Sequence, residues 1–127
     1  MTTLFDDADV IHTHSRFRAI ADGTLIDVSD LAREAGFRYP VALTRGAWED
    51  LVAWNDSNRA IQDETGRLWD VLNVARWGAT RGDSAVKLMR VWRVPNTPHA
   101  TVPRTATFVL HCGPGDAGEP VVTIMSS

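Results

Sequence analysis

The chain contains one cysteine in 127 residues, Cys112, so no internal disulfide can form and a zinc site made of cysteines alone is excluded. No run approaches the roughly 18 apolar residues that a membrane-spanning helix requires. The N-terminal MTTLFDDADV is acidic where a secretory signal would open basic and turn apolar, so a cytoplasmic location and no membrane partner are expected. No internal repeat, low-complexity run or Pro/Gly-rich linker divides the sequence. Its length matches a single domain over 1–127, given roughly 150 residues per domain, and a chain of this size buries about two-thirds of the surface its unfolded form exposes. No serine sits in a G-x-S-x-G context. The glycine-rich Gly113–Gly118 segment lacks a following Lys-Ser/Thr and leads into a strand, so it reads as a turn and not as a phosphate loop.

What is present is charge of uneven distribution. Residues 1–70 carry 13 acids and 7 bases, a balance of −6, whereas residues 71–127 carry 3 acids and 6 bases, a balance of +3. Such a split can orient a partner electrostatically, and it opposes duplex-DNA binding by the whole surface. Twelve of the 13 bases are arginine, the residue suited to bidentate contacts, and Lys87 is the sole lysine.

Residues 1–9 read as a flexible acidic lead-in. Val10–Thr13 reads as a short strand, and Ser15 is placed to cap a helix over Arg16–Asp22 that Gly23 would end. Leu25–Val28 is a second strand. Ser29 opens a brief helix, Asp30–Ala35, closed by Gly36. After the short apolar run Val41–Leu43, Thr44 is a good N-cap for a helix from Arg45 to about Trp54, with Ala47, Trp48, Leu51 and Val52 on one face. Asp63-Glu64-Thr65-Gly66 is turn chemistry, so Ala60–Gln62 and Arg67–Trp69 are expected to pair as a hairpin, with Asp70 capping a helix over Val71–Thr80; a helix starting at Thr65 is the alternative. Val86–Val94 alternates with apolar residues on both faces, as central or helix-covered strands do. With Arg104–Cys112 and Pro120–Met125 it should form an antiparallel meander, because the connections are too short for helical crossovers. The expected class is α+β: a mostly antiparallel sheet, ending in a three-stranded meander, with three to four short helices packed on one face.

His12 and His14, two apart on a strand, would face the same side, with His111, Cys112 or Asp27 as conceivable further ligands. Strand neighbours His111 and Cys112 point to opposite faces, however, and no second ligand pair has a metal-binding spacing, so no metal and no cofactor are expected. The same geometry denies Cys112 a histidine base at His111. Five tryptophans exceed what a small core needs. Trp48, Trp69 and Trp92 read as core; Trp54 and Trp77 read as interface residues, with Arg76, Arg81 and Arg93 close in sequence.

Several blocks carry a family resemblance: Val10-Ile11-His12, Ala19–Val28, Ala32–Phe37, Pro40–Thr44, Gly66–Leu72 and Gly113–Val121. Together they resemble a family of small uncharacterised proteins carried on bacterial plasmids, integrative elements and phages. The resemblance implies a mobile-element accessory role and an anti-defence activity. The leading expectation is therefore a non-catalytic inhibitor of a host protein or ribonucleoprotein complex, a CRISPR effector among them. Its acidic surface would occupy a basic nucleic-acid channel, through Asp6, Asp7, Asp9, Asp22, Asp27, Asp30, Glu49, Asp50, Asp56, Asp63 and Glu64 together with Trp54 and Trp77. A second expectation is a nucleic-acid-binding accessory protein that uses the basic C-terminal half and exposed tryptophans. A third follows from the faint similarity of the opening segment to small ADP-ribosyltransferase-like domains, in which His12 would contact a nicotinamide nucleotide and Glu119 would polarise the ribose or activate the acceptor. A homodimer formed through a strand edge or a tryptophan-bearing helix is a further option.

Overall fold

In a computed structural model, the described residues are 16–55, 63–97, 100 and 102–127. Val10–Thr13, Ser15, the lead-in over 1–9, and Ala60–Gln62 lie outside them. Residues 16–22 are helical (α1). There follow β1 (Leu25–Asp27), α2 (Ser29–Glu34), β2 (Val41–Thr44), α3 (Arg45–Leu51), α4 (Glu64–Ala79), β3 (Val86–Arg93), β4 (Arg104–Pro114) and β5 (Pro120–Ser126). The fold is α+β, and the five strands form one open sheet in the order β1-β2-β5-β4-β3. Only β2 and β5 run parallel; every other pair is antiparallel, including the C-terminal meander β3-β4-β5.

Among the short helices α3 has a side-chain N-cap, whereas the N-cap of α2, Val28, makes no side-chain capping bond. The Thr44 hydroxyl accepts from the Ala47 N–H at 3.2 Å to start α3. The helix stops at Leu51, three residues before the expected end, because its terminal carbonyls are taken by two arginines from elsewhere. Arg93 Nη1 reaches the Leu51 carbonyl at 3.3 Å and Arg67 Nε reaches that of Val52 at 2.9 Å. α2 ends at Glu34, two residues before Gly36, whose φ of 104° disfavours any L side chain and whose missing Cβ leaves room for the Arg76 side chain.

The expected hairpin does not form, because its second arm is helical; the helix starts at Glu64, one residue before the alternative start at Thr65. Arg67–Trp69 lies inside α4, which spans 16 residues and is capped by Asp63: its Oδ1 accepts from Gly66 N–H at 2.7 Å. Asp70 is therefore interior and caps nothing. The buried stripe of α4 runs through Arg67, Leu68, Val71, Leu72, Ala75 and Gly78. A buried arginine at its head hides the apolar period from a reading by residue type, and Asp63 through Gly66 imitates a turn because a helix N-cap uses the same side-chain chemistry.

The main core lies between α2–α4 and one face of the sheet, around Val41, Leu43, Leu51, Val71, Leu72, Phe108, Leu110 and Ile124, each nearly inaccessible. Each such side chain contributes about 1.5–3 kcal/mol relative to exposure. Arg16 of α1 reaches the reverse face, where its Nη1 donates to the Thr123 hydroxyl at 2.9 Å and its Nη2 to the Val122 carbonyl at 3.1 Å. Burial lowers the Arg16 pKa, against the raising influence of Asp27, Asp116 and Glu119. No helix among the described residues is long and apolar enough to cross a membrane.

Candidate functional site

Among the described residues β3 is an edge strand with only β4 beside it; of the two placements its pattern allowed, central or helix-covered, it takes the second, with one face under α4. Its odd-numbered residues turn toward α4: Met89, Val91 and Arg93 are buried. Its even-numbered residues point to the reverse face and, among the described residues, meet no covering element. Val86, Leu88 and Trp92 are 53%, 64% and 69% exposed. Trp92 is thus not core, and neither is Trp69, which is 37% exposed on α4. Trp48 is half-buried against the core cluster. Alternation without charge at Val86, Leu88 and Trp92 imitates a buried strand, but a two-faced apolar strand also fits one covered face and one bare face.

The hydrogen-bonding sense of the edge follows from one contact beyond the strand start. The Cys112 N–H donates to the Ala85 carbonyl at 2.8 Å, and the ladder continues with Val86 opposite His111. In an antiparallel pair, hydrogen-bonded positions alternate with non-bonded ones, so Lys87, Met89, Val91 and Arg93 bond to β4. The N–H and C=O groups of Val86, Leu88, Arg90 and Trp92 therefore point away from the sheet. Those of Val86 are met by the Ser84 hydroxyl, at 3.3 Å and 2.6 Å. The other three residues present their backbone groups to an edge that no described strand occupies.

Beside that edge lies a groove of about 680 Å³ lined by Asn73, Val74 and Trp77 of α4 and by Leu88, Met89 and Arg90 of β3. α4 comes close to the sheet here because Gly78 has no Cβ to strike Met89. Trp77 is 57% exposed, and the Arg81 guanidinium stacks over its ring at 4.6 Å. Lys87 Nζ donates to the Gly78 carbonyl at 2.6 Å and to that of Arg81, closing the C-terminal end of α4 where the helix dipole favours a cation. β3 and β4 contain four bases, Lys87, Arg90, Arg93 and Arg104, and no acid.

Behind the edge, Arg67 and Arg93 are 2% and 5% exposed. Arg67 Nη1 donates to the Val94 carbonyl at 2.8 Å, and its guanidinium lies 4.8 Å from the Trp54 ring centroid. Arg93 bonds the Arg67 carbonyl at 3.2 Å and pairs with Asp70 at 3.0 Å. Burial, then the adjacent Arg93 charge, pushes the Arg67 pKa down to about 10, while Glu64 and Asp70 pull the other way. Burial lowers Arg93 as well, opposed by Asp70. The pair clasps the end of α3, the head of α4 and the end of β3. The sequence offered no apolar signal for it.

The acids named from sequence do not converge. Asp22 accepts from Thr24 N–H at 2.9 Å and from its hydroxyl at 2.6 Å, which lowers its pKa. Asp27 accepts from the Ser29 hydroxyl at 2.5 Å. Asp30 meets Arg33 at 3.3 Å, Glu49 meets Arg45 at 3.8 Å, and Asp50 accepts from the Ser126 hydroxyl at 3.3 Å. Asp63 caps α4, and a Glu64 carboxylate oxygen accepts from Trp54 N–H at 3.1 Å. Asp56, His12, His14, Asp6, Asp7 and Asp9 lie outside the described residues. Trp54 lies against Arg67 in the first turn of α4, and Trp77 stands ten residues further on, about 15 Å along the helix axis at 1.5 Å per residue. Glu119 accepts from the Ala117 N–H at 3.1 Å within its own turn. Among the described residues no three His, Cys, Asp or Glu side chains are grouped to hold a metal ion.

Fold and site together define a small α+β protein with an open, cationic strand edge beside an apolar helix flank. The chain belongs to the family of unknown function DUF6573, whose match spans residues 1–127. No curated protein and no solved structure matches it.

Proposed function

We propose that this protein is a non-catalytic protein-binding module whose contact surface is the β3 edge and the adjoining flank of α4. Its partner, on this reading, is a host protein or ribonucleoprotein complex of the defence class that the plasmid- and phage-borne resemblance implies. The observation that carries the proposal is the bare row Val86, Leu88 and Trp92 on an edge strand. Exposed apolar rows on open edges invite aggregation unless they are used, and contiguous apolar patches mark interaction sites. The acidic surface supports binding less well, because most of its described carboxylates already serve caps, turns and local pairs.

One observation favours a second reading. Trp92 stands two residues from Arg90 on the bare face, an arrangement on which a single-stranded nucleic acid can stack. Capture from a bacterial lysate by the tagged chain separates the readings. The double substitution Leu88→Lys, Trp92→Lys should abolish recovery of a stoichiometric protein complex, whereas charge reversal at Asp22, Asp27, Asp30, Glu49 and Asp50 should leave it. Recovery lost only with the charge reversal would return the contact to the acidic surface. Recovery of nucleic acid alone, released by salt, would favour the second reading.

A further inference from the structure

Resting on that proposed contact surface, we infer that the β3 edge is completed by an extended strand from the partner protein, apolar on both faces and carrying a carboxylate opposite Arg90. Three observations fix this chemistry. The N–H and C=O groups of Leu88, Arg90 and Trp92 point outward, so they offer up to six main-chain hydrogen bonds to an added strand. The groove lies where such a strand's inward side chains would fall, against Val74, Trp77 and Met89, so α4 covers the added strand as it covers β3 itself. The charge is of one sign: β3 and β4 contain no acid, Arg90 stands exposed between Leu88 and Trp92, and Arg81 and Lys87 flank the groove.

The same charge argues against a second copy of this chain as the occupant. Antiparallel pairing of β3 with its twin brings together two strands that each expose Arg90 on the bare face and carry no acid to pair with it. In one register it places Arg90 directly opposite itself, and like charges directly opposite destabilise a pair. A partner strand with an acid at that position turns the repulsion into a charge-assisted contact.

The test uses the full chain, ¹⁵N-labelled, and two capped peptides, TVIEIVT and TVIKIVT. Their central residue is opposite Arg90, their valines are opposite Leu88 and Trp92, and their isoleucines face the groove. TVIEIVT should shift the amide resonances of Leu88, Arg90 and Trp92 and slow their hydrogen exchange, and TVIKIVT should bind at least tenfold more weakly. Arg90→Gln should erase the difference between the peptides. Arg90→Pro removes an N–H that bonds nothing in the sheet, so the fold should persist by circular dichroism while peptide binding falls at least tenfold. The inference is overturned by absence of amide shifts up to millimolar peptide, by shifts confined to the acidic helices, or by equal binding of the two peptides. It is overturned equally if the unliganded chain sediments as a dimer that Arg90→Pro converts to monomer, or if oligothymidylate and not peptide perturbs these amides. If the peptides fail while Leu88→Lys, Trp92→Lys still abolishes capture of the complex, strand addition falls and the protein-binding reading stands. If both fail, both readings fall.

Discussion

Replacing Arg67 by alanine tests whether a buried arginine, and not apolar contact alone, fastens the end of α3 to α4 and β3. Arg67 is 2% exposed, and it donates to the Val52 carbonyl at 2.9 Å and the Val94 carbonyl at 2.8 Å. Removing it leaves two carbonyls of buried residues without these donors, at about 1–3 kcal/mol each, and empties the space its stem fills. The stacking over Trp54 is lost too, worth about 0.5–1 kcal/mol or more when desolvated. Relief acts in the opposite direction. The charged form is disfavoured by burial and by Arg93, which is why its pKa falls to about 10, and the truncation removes that penalty. The net loss should be about 2–4 kcal/mol, a large share of the roughly 5–15 kcal/mol expected for a domain of this kind. Arg67→Met, which keeps the stem and sheds the charge, should cost less than alanine yet remain destabilising, since it supplies no donor. Urea titration followed by tryptophan fluorescence measures both. An Arg67→Ala protein within about 0.5 kcal/mol of the parent would refute the reasoning.

Further consequences can be checked separately. Thr44→Ala removes the hydroxyl that accepts from Ala47 N–H and should cost about 1 kcal/mol in the same titration, with Thr44→Ser nearly neutral. Gly36→Ala combines a positive φ with collision against the Arg76 side chain, and it should lower stability by at least about 1 kcal/mol, more than alanine at Gly82, where a Cβ meets nothing. Thr24→Val removes the hydroxyl but not the backbone donor to Asp22, so the Asp22 pKa should rise part of the way to its ordinary value in a carboxyl-carbon NMR titration. Because its folded pKa is depressed, the stability contributed by Asp22 is present above the unfolded value and is lost as pH falls through the folded one. The Thr24→Val protein should accordingly show a weaker acid dependence in that window.

Much of the architecture was legible because local chemistry and tertiary placement agreed. The Thr44 cap, the glycines Gly23 and Gly36 and the tight connections between the last three strands made the α+β class and the meander readable, whereas Ser29 lies inside α2 and does not cap it. The hairpin expected at 59–69 failed because the head of α4 buries Arg67, a residue that breaks the apolar period by type while obeying it by position. The site was half legible. Trp77 was named as an interface residue and is exposed, but Trp92 was assigned to the core. Period-two alternation identifies a strand's two faces without saying which one is covered, and neither edge position nor the direction of free backbone groups is written in residue types. The carboxylates were drawn into one surface by their count, whereas Thr24, Ser29, Arg33 and Arg45 engage them one at a time.

The β3 edge leaves the backbone groups of Leu88, Arg90 and Trp92 unbonded within the sheet. Native-state hydrogen exchange on the unliganded chain measures it residue by residue. The amides of Leu88, Arg90 and Trp92 should exchange rapidly, while those of Lys87, Met89, Val91 and Arg93 should be protected by their bonds to β4. Uniform protection along Val86–Arg93 would mean that the edge is already occupied, and protection at the even-numbered residues alone would mean that the register is wrong; either result contradicts the account.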